Sequence, residues 1–429
     1  MLSGLPQGWV ECKLGDVLYL QNGYAFNSKD YSSEGVSIVR ISDIQNGRVL
    51  LDKSVKYNKS LVDECFEVKK GDFLIAMSGA TTGKTGVYIE NEIAYLNQRV
   101  GNLKIYCKDV LFHKYRDFFI SNKRREIEKR AYGGAQPNIS KHMIEDIDLF
   151  LPPLNEQRRI VEKIEREFAK IDEGLEHLEN AKEQIKQYRQ SVLKSAFEGK
   201  LYKTSEWLNT VFENIIDVNP KTDIPTIDLK KLVSFLPMPS VYAETNKYNE
   251  ELIQYEKVKK GYTKFQNQDV LFAKITPCME NGKTCIVNNL QFGVGFGSTE
   301  FHVLRSLGKI LPEFIFYFMV QKSFRKQAQN VMTGAVGQRR VPADYLKNIK
   351  INLPTLEEQK RIVEEIEKRF AVADEVEKVV EDNIEKAKQL KQSILKKAFE
   401  GRLVPQDPND KPATILLEKI KQERSKNAK

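Results

Sequence analysis

One stretch of 51 residues occurs twice in this chain, 202 residues apart, and nothing else in the sequence limits the fold so tightly. Residues 151–201 read LPPLNEQRRIVEKIEREFAKIDEGLEHLENAKEQIKQYRQSVLKSAFEGKL; residues 353–403 read LPTLEEQKRIVEEIEKRFAVADEVEKVVEDNIEKAKQLKQSILKKAFEGRL. About 28 of the 51 aligned pairs are identical without a gap. So long a period marks a duplicated unit, because solenoid repeats recur every 20–50 residues or so. In the first copy Ile164, Phe168, Ile171, Leu175, Leu178, Ile185 and Val192 follow a 4-3 spacing, with Lys182 and Arg189 interrupting. In the second, Ile366, Phe370, Ala373, Val380, Ile384, Ala387 and Ile394 keep the register, with Glu377 and Lys391 as polar exceptions. Asn155 is the expected N-cap of the first helix, Glu156 suits its positive end, and Gly199 is its expected stop. A helix of about 43 residues is roughly 65 Å long and buries only one stripe. The economical arrangement packs the two copies on each other as a coiled coil; the alternative packs each on its own domain.

The segments between the copies are also duplicated, more faintly. GWVECKLGDVL (8–18) parallels EWLNTVFENII (206–216), which pairs Trp9 with Trp207. GDFLIA (71–76) parallels QDVLFA (268–273), Gly83-Lys84 parallels Gly282-Lys283, and GAQPNIS (134–140) parallels GAVGQRRV (334–341). Residues 1–110 read as β-rich, with short apolar runs at 36–41, 73–77 and 86–89 between Gly, Asn and Ser turns. Residues 111–131 read as one amphipathic helix with a basic second half, matched by 311–329; 143–152 reads as a closing strand. The expected fold is α+β: two α/β-type globules at 1–150 and 202–352, separated by long helical regions at 151–201 and 353–403 packed as an antiparallel coiled coil, with a basic tail helix in 404–429 and a pseudo-two-fold internal duplication.

Of the 429 residues, 41% are hydrophobic and 30% charged, which suits a core-forming chain. No signal peptide or apolar membrane span is recognisable, and five scattered cysteines fit a reducing cytoplasm. The net charge of +9 is unevenly placed: about +2 in 1–150, 0 in 151–201, +6 in 202–352, −1 in 353–403 and +2 in the tail. The surplus lies in the globules, where an anionic partner such as nucleic acid would dock.

Catalytic motifs fail on spacing. SGATTGKT at 78–85 has three residues between its glycines where a phosphate loop needs four, and a strand-like run follows it. FGVGFGSTEF at 292–301 lacks the helix of a dinucleotide loop. Asp223, Asp228 and Lys230 lie in a Pro-flanked connector and read as solvated charges. The four histidines have no Ser or Cys partner in a hydrolase pattern, and no Cys or His set has metal-ligand spacing.

Loops rich in amide and basic side chains are more informative, since Asn and Gln suit adenine edges, Arg suits guanine, and Lys and Arg neutralise phosphates. In the first globule the candidates for DNA contact are Ser78, Thr81, Thr82, Lys84, Asn97, Gln98, Arg99, Lys123, Arg124, Arg125, Gln136 and Asn138. In the second they are Lys274, Thr276, Lys283, Ser298, Thr299, Arg325, Gln338, Arg339 and Arg340. Arg339 and Arg340 have no basic counterpart in the first globule, where Pro137 and Asn138 stand.

With these residues in hand, the chain resembles the specificity (S) subunit of type I restriction–modification systems. The resemblance rests on LPQGWVECKLGD at 5–16, GYAF at 23–26, VRISDIQNG at 39–47, GDFLIAMSG at 71–79 and NQRV at 97–100. It rests also on the paired LPPLNEQRRIV/LPTLEEQKRIV and SAFEGKL/KAFEGRLVPQDPND segments. It implies a non-catalytic subunit whose two globules each read one half of a bipartite, asymmetric double-stranded DNA target in the major groove. The helices set the spacer and dock two methyltransferase (M) subunits, which carry S-adenosylmethionine and flip out adenine. A restriction (R) subunit brings ATP and Mg. No cofactor is expected in this chain, and no membrane. Two readers on one spine suit half-sites about one helical turn, near 10–10.5 bp, apart. The competing readings are a coiled-coil adaptor without DNA specificity, and a nucleotide-dependent enzyme built on 78–85.

Overall fold

The computed structural model describes residues 5–427 apart from 53, 59–61, 132–136, 202–205 and 336, with side chains described as far as 422. Two helices of 44 residues, Leu154–Phe197 and Leu356–Phe399, correspond to the repeated stretches. The first begins one residue before Asn155, so that residue lies within the helix and is not its cap. The end follows expectation: Gly199 and Gly401 both have φ 68. Lys200 N–H donates to the Ser195 carbonyl and Arg402 N–H to the Lys397 carbonyl, each at 2.8 Å. These six-to-one bonds close the last turn, and a left-handed glycine makes them possible.

The chain divides into two compact units, and the division cuts both long helices. Unit 1 comprises residues 1–177 and 383–429; unit 2 comprises 178–382. Each unit therefore holds one globule, the start of one long helix and the end of the other. In unit 1 the core joins Ile160, Val161 and Ile164 to Ile394, Leu395, Ala398 and Phe399, with Phe399 packed on Tyr115 and Phe119 of the globule. In unit 2 it joins Val192, Leu193 and Ala196 to Ile362, Val363 and Ile366, with Phe197 on Phe314 and Phe318. Within each unit the helices run antiparallel, because partner numbers fall along one helix as they rise along the other. The polar interruptions of the heptads are paired across this contact. Lys182 meets Glu381 at 2.9 Å and Arg189 meets Glu377 at 2.7 Å in unit 2; in unit 1 Lys391 meets Asp172 and lies 4.8 Å from the Phe168 ring centre.

Both globules have one topology. In unit 1 a sheet runs Leu18–Asn22, Val100–Ile105, Phe73–Ala76, Thr85–Tyr88, then Gly47–Val49 and Ile44–Gln45; in unit 2 the same order runs Ile216–Val218, Phe301–Ser306, Val270–Ala273, Thr284–Ile286. A second four-stranded sheet in each has a parallel central pair: Val36–Val39 beside Ala94–Leu96, and Leu232–Leu236 beside Val294–Gly297. The first strand of each globule pairs with the last before the long helix, Val10 opposite Leu151 and Leu208 opposite Leu353. The only sheet difference among the described strands is the Ile44–Val49 hairpin, which extends the unit 1 sheet.

Two local expectations change. Residues 111–131 form two helices, His113–Asn122 and Arg124–Ala131, since the Lys123 N–H is shared between the Phe119 and Ile120 carbonyls at 3.0 and 3.1 Å, tightening the turn. The matching stretch also breaks, into Pro312–Met319 and Lys322–Asn330, with Gln321 extended between them. Residues 143–152 are not one strand: Ser140 caps a short helix, Lys141–Glu145, and only Asp148–Leu151 is extended.

The glutamine of each LPxLxEQ motif locks a globule to its helix. Gln157 is fully buried, accepts from the Phe112 N–H at 2.8 Å, and donates to the Val110 and Pro152 carbonyls at 2.9 Å. Gln359, also fully buried, accepts from Leu311 N–H at 2.8 Å and donates to the Lys309 and Pro354 carbonyls at 3.0 and 2.9 Å. The preceding glutamates differ: Glu156 accepts from Trp9 Nε1 at 3.0 Å, whereas Glu358 caps Thr355. The tail packs in unit 1. Ala413 N–H donates to the Gly8 carbonyl at 2.9 Å, Arg159 pairs with the buried Asp410 at 2.7 Å, and Ala413, Leu417 and Ile420 join the core.

Candidate nucleic-acid interface

Each globule gathers its candidate residues at one three-loop junction. In unit 1 the strand Phe73–Ala76 is followed by Met77, whose N–H donates to the Arg99 carbonyl at 2.9 Å and whose carbonyl accepts from Ile139 N–H at 2.8 Å. In unit 2 Lys274 does the same, donating to the Glu300 carbonyl at 2.9 Å and accepting from Val341 N–H at 2.9 Å. The first junction assembles Ser78, Thr81, Lys84, Asn97, Gln98, Arg99 and Asn138. The second assembles Lys274, Thr276, Lys283, Ser298, Thr299, Gln338, Arg339 and Arg340. The helix after the sheet abuts the loop in both. A Cβ on Gly83 would stand 3.2 Å from Glu128 Cγ, and one on Gly282 would stand 2.9 Å from an Arg325 guanidinium nitrogen. Both glycines have positive φ, 81 and 77.

Exposure separates available side chains from occupied ones. Gln98, Arg99, Arg125, Asn138, Thr299 and Gln338 are exposed, and Arg99, Arg125 and Arg339 have no side-chain partner among the described residues. Lys123 and Arg124 are each held at 2.8 Å by a carboxylate one turn on, Glu126 and Glu128. Lys283 Nζ donates to the Met238 carbonyl at 2.9 Å, and Thr276 Oγ1 to Glu280 at 2.9 Å. The geometry corrects two expectations. Arg325, expected to neutralise a phosphate, is 6% exposed, donates to the Glu280 carbonyl at 2.6 Å and pairs with Glu244. Thr82 is 5% exposed and spends its hydroxyl on the Gly79 carbonyl at 2.6 Å. Both are buried supports of their loops. Gln136 lies outside the described residues.

Sequence reading passed over the hairpin tip in unit 1. Gln45, Asn46 and Gly47, with Thr81, Lys84, Thr85, Ser121 and Arg124, line an open polar cleft of roughly 610 Å³. Asn46 and Gly47 have φ 48 and 77, the Asn-Gly hairpin turn that the dipeptide itself signals. Residues 78–85 form a single 3-10 turn, Gly79–Thr81, followed by the strand Thr85–Tyr88; no helix N-terminus faces a phosphate there. Among the described residues no group of three or more His, Cys, Asp and Glu could hold a metal ion, and no helix is long and apolar enough to cross a membrane.

His302 lies behind the second junction, 5% exposed, with Nε2 2.8 Å from the Val341 carbonyl and Nδ1 3.0 Å from Asn219 Nδ2. Burial holds its imidazole below the ordinary value, and the neutral ring suits this site, donating to the Val341 carbonyl and accepting from the Asn219 amide. Below pH of about 6.5 the unfolded chain takes up a proton that folded His302 refuses, so unit 2 loses stability as pH falls. Melting at pH 7.5 and 5.5 should show a larger drop for the native chain than for His302→Gln; equal drops would exclude this contribution.

The family model of the type I restriction modification DNA specificity domain matches residues 6–187 and 215–386, once in each half. The chain belongs to this family. It is 28% identical over 453 residues to the EcoKI specificity subunit of Escherichia coli strain K12, covering 98% of this chain and 96% of that one. The EcoAI specificity subunit of Escherichia coli is 34% identical over 266 residues, 52% of this chain; this match spans 45% of the EcoAI subunit, less than half its length. A chain from a structure titled for complex assembly and conformational transition of the type I R-M system superposes with TM-score 0.71 at 18% identity, covering 93% of this chain and 99% of that one. The HsdS subunit of Thermoanaerobacter tengcongensis gives 0.53 at 18% identity, over 93% and 98%. These likenesses extend the fold of the specificity family over both halves of the chain.

Proposed function

We propose that the chain is the DNA-reading subunit of a type I restriction–modification complex. One observation carries this reading: two globules of one topology present unlike loop chemistry at the same three-loop junction. A pure scaffold gains nothing from that difference, whereas a reader of two unlike half-sites requires it. Each junction reads base edges in the major groove of one half-site, with Arg99, Asn138, Gln338, Arg339 and Arg340 as readers and Arg125 and Lys84 as phosphate contacts. The chain does no chemistry itself. Two methyltransferase subunits dock on the long helices and bring S-adenosylmethionine to a flipped adenine; a restriction subunit brings ATP and Mg. The assembly works in the cytoplasm.

Salt dependence separates this reading from an adaptor that ignores DNA. Binding of the chain with its methyltransferase partners should fall steeply as salt rises, by a slope of about 0.9 per neutralised phosphate. Arg125→Ala should flatten that slope by about one phosphate and weaken all sequences alike. A complex whose DNA binding ignores both salt and sequence would overturn the proposal.

A further inference from the structure

Hydrogen-bond register makes the two junctions comparable residue by residue. Ala76 stands opposite Val100 as Ala273 stands opposite Phe301. The bridge between Ser78 and Asn138 corresponds to that between Ile275 and Arg340. The position held by Arg99 in unit 1 is therefore held by Glu300 in unit 2, and that of Asn138 by Arg340. In unit 1 both side chains stand exposed with no side-chain partner among the described residues. In unit 2 they grip each other: Arg340 Nε donates to Glu300 Oε2 at 2.9 Å and an outer nitrogen donates to Oε1 at 2.8 Å.

The rest of Arg340 is equally constrained. Its N–H and carbonyl bond to Thr333 at 2.8 and 3.0 Å, and its other guanidinium nitrogen reaches the Gln338 carbonyl at 2.9 Å. Thr276 N–H donates to the neighbouring Arg339 carbonyl at 3.0 Å. Glu300 is held in turn, its carbonyl accepting from Lys274 N–H. The Arg340 side chain is still 41% exposed, so its outer edge faces solvent while its inner edge is occupied by Glu300. A charged fork held on one side by a carboxylate loses little freedom on meeting a second planar acceptor pair.

From this we infer that Glu300 is a positioning residue that aims Arg340 at a guanine edge, and that the 99/138 and 300/340 pairs are matched specificity positions of the two globules. The inference rests on the DNA-reading function proposed above. Arg340 presents donors to guanine O6 and N7, while Glu300 sets the angle and touches no base. In unit 1 the same places offer Arg99, with no side-chain partner among the described residues, and an amide, Asn138, suited to adenine. The two halves of the target therefore differ at the base pairs these positions reach.

The test uses the full chain assembled with its methyltransferase subunits, with methylated adenines mapped by sequencing. Native complex should give a bipartite motif. Isosteric Glu300→Gln should relax one base pair of one half roughly tenfold, and Arg340→Lys should relax that same pair, while the other half stays intact. Asn138→Ala should relax only the other half. Glu300→Asp, which keeps the charge, should recover part of the discrimination that Glu300→Gln loses, a rescue that a merely structural role does not predict. If Glu300→Gln leaves the motif unchanged, or the variants at 300 and 340 affect different halves, the pairing inference is wrong although the reader function stands. A native complex without a bipartite motif would overturn the reader function and this inference together.

Discussion

Replacing residues 202–352 with the same segment of another family member should change one half of the recognised DNA sequence and leave the other half as it was. The attachments of the second globule explain why so large an exchange can fold. Strand Leu208–Val211 joins Lys350–Leu353 within the segment, apart from Leu353 itself, so the closing ladder travels almost whole with it. Gln359, outside the segment, holds the globule through the Leu311 N–H and the Lys309 carbonyl, which are backbone groups that survive side-chain changes. The demanding part is the apolar seat, where Phe314 and Phe318 meet Phe197 and Tyr317 meets Phe370. A donor with aromatic residues there should assemble; one without them loses part of a core in which each large deletion costs about 3–5 kcal/mol. Methylation mapping reads the outcome directly. A change in both halves, from a complex that still assembles, would contradict the modular account.

Gln157→Leu should destabilise unit 1 by about 3 kcal/mol or more, far beyond the effect of a surface change. The substitution keeps volume but leaves the Phe112 N–H and the Val110 and Pro152 carbonyls without their partner in a site where Gln157 is fully buried. Each buried orphan costs on the order of 1–3 kcal/mol. Gln157→Glu should be as harmful, since a carboxylate cannot donate to two carbonyls. Gln359→Leu should do the same to unit 2. Urea unfolding of the single and double variants provides the check. A loss under about 1 kcal/mol would show that water replaces the side chain and that the lock is weak.

Much of this arrangement is written locally in the chain. The repeated stretches give the long helices, their heptad stripes and the glycine stops, because period and cap chemistry act over a few residues. Even the polar interruptions Lys182, Arg189, Glu377 and Lys391 become intelligible once the antiparallel register pairs them with acids or bases. The breaks at Lys123 and Gln321 were not legible, since the sequence pattern runs through them and only a local change of backbone marks the turn. Nor was the division into units, in which each globule takes the start of one long helix and the end of the other; periodicity names a buried stripe but not its partner. Among the candidate readers, side-chain type misled where a distant acid intervened. Arg325 is claimed by Glu244, 81 residues away in sequence, whereas the grip of Glu300, 40 residues from Arg340, still leaves the Arg340 side chain 41% exposed. Glu300 itself carried no signal as an acid among basic loops until strand register made it the unit 2 counterpart of Arg99.

The most direct test of the proposed two unlike readers is the pattern of methylated adenines laid down by the chain assembled with the methyltransferase subunits proposed for it. The account predicts a target of two different specified halves separated by a constant gap of unspecified bases. A single uninterrupted motif, a palindrome, or methylation without sequence preference would contradict it.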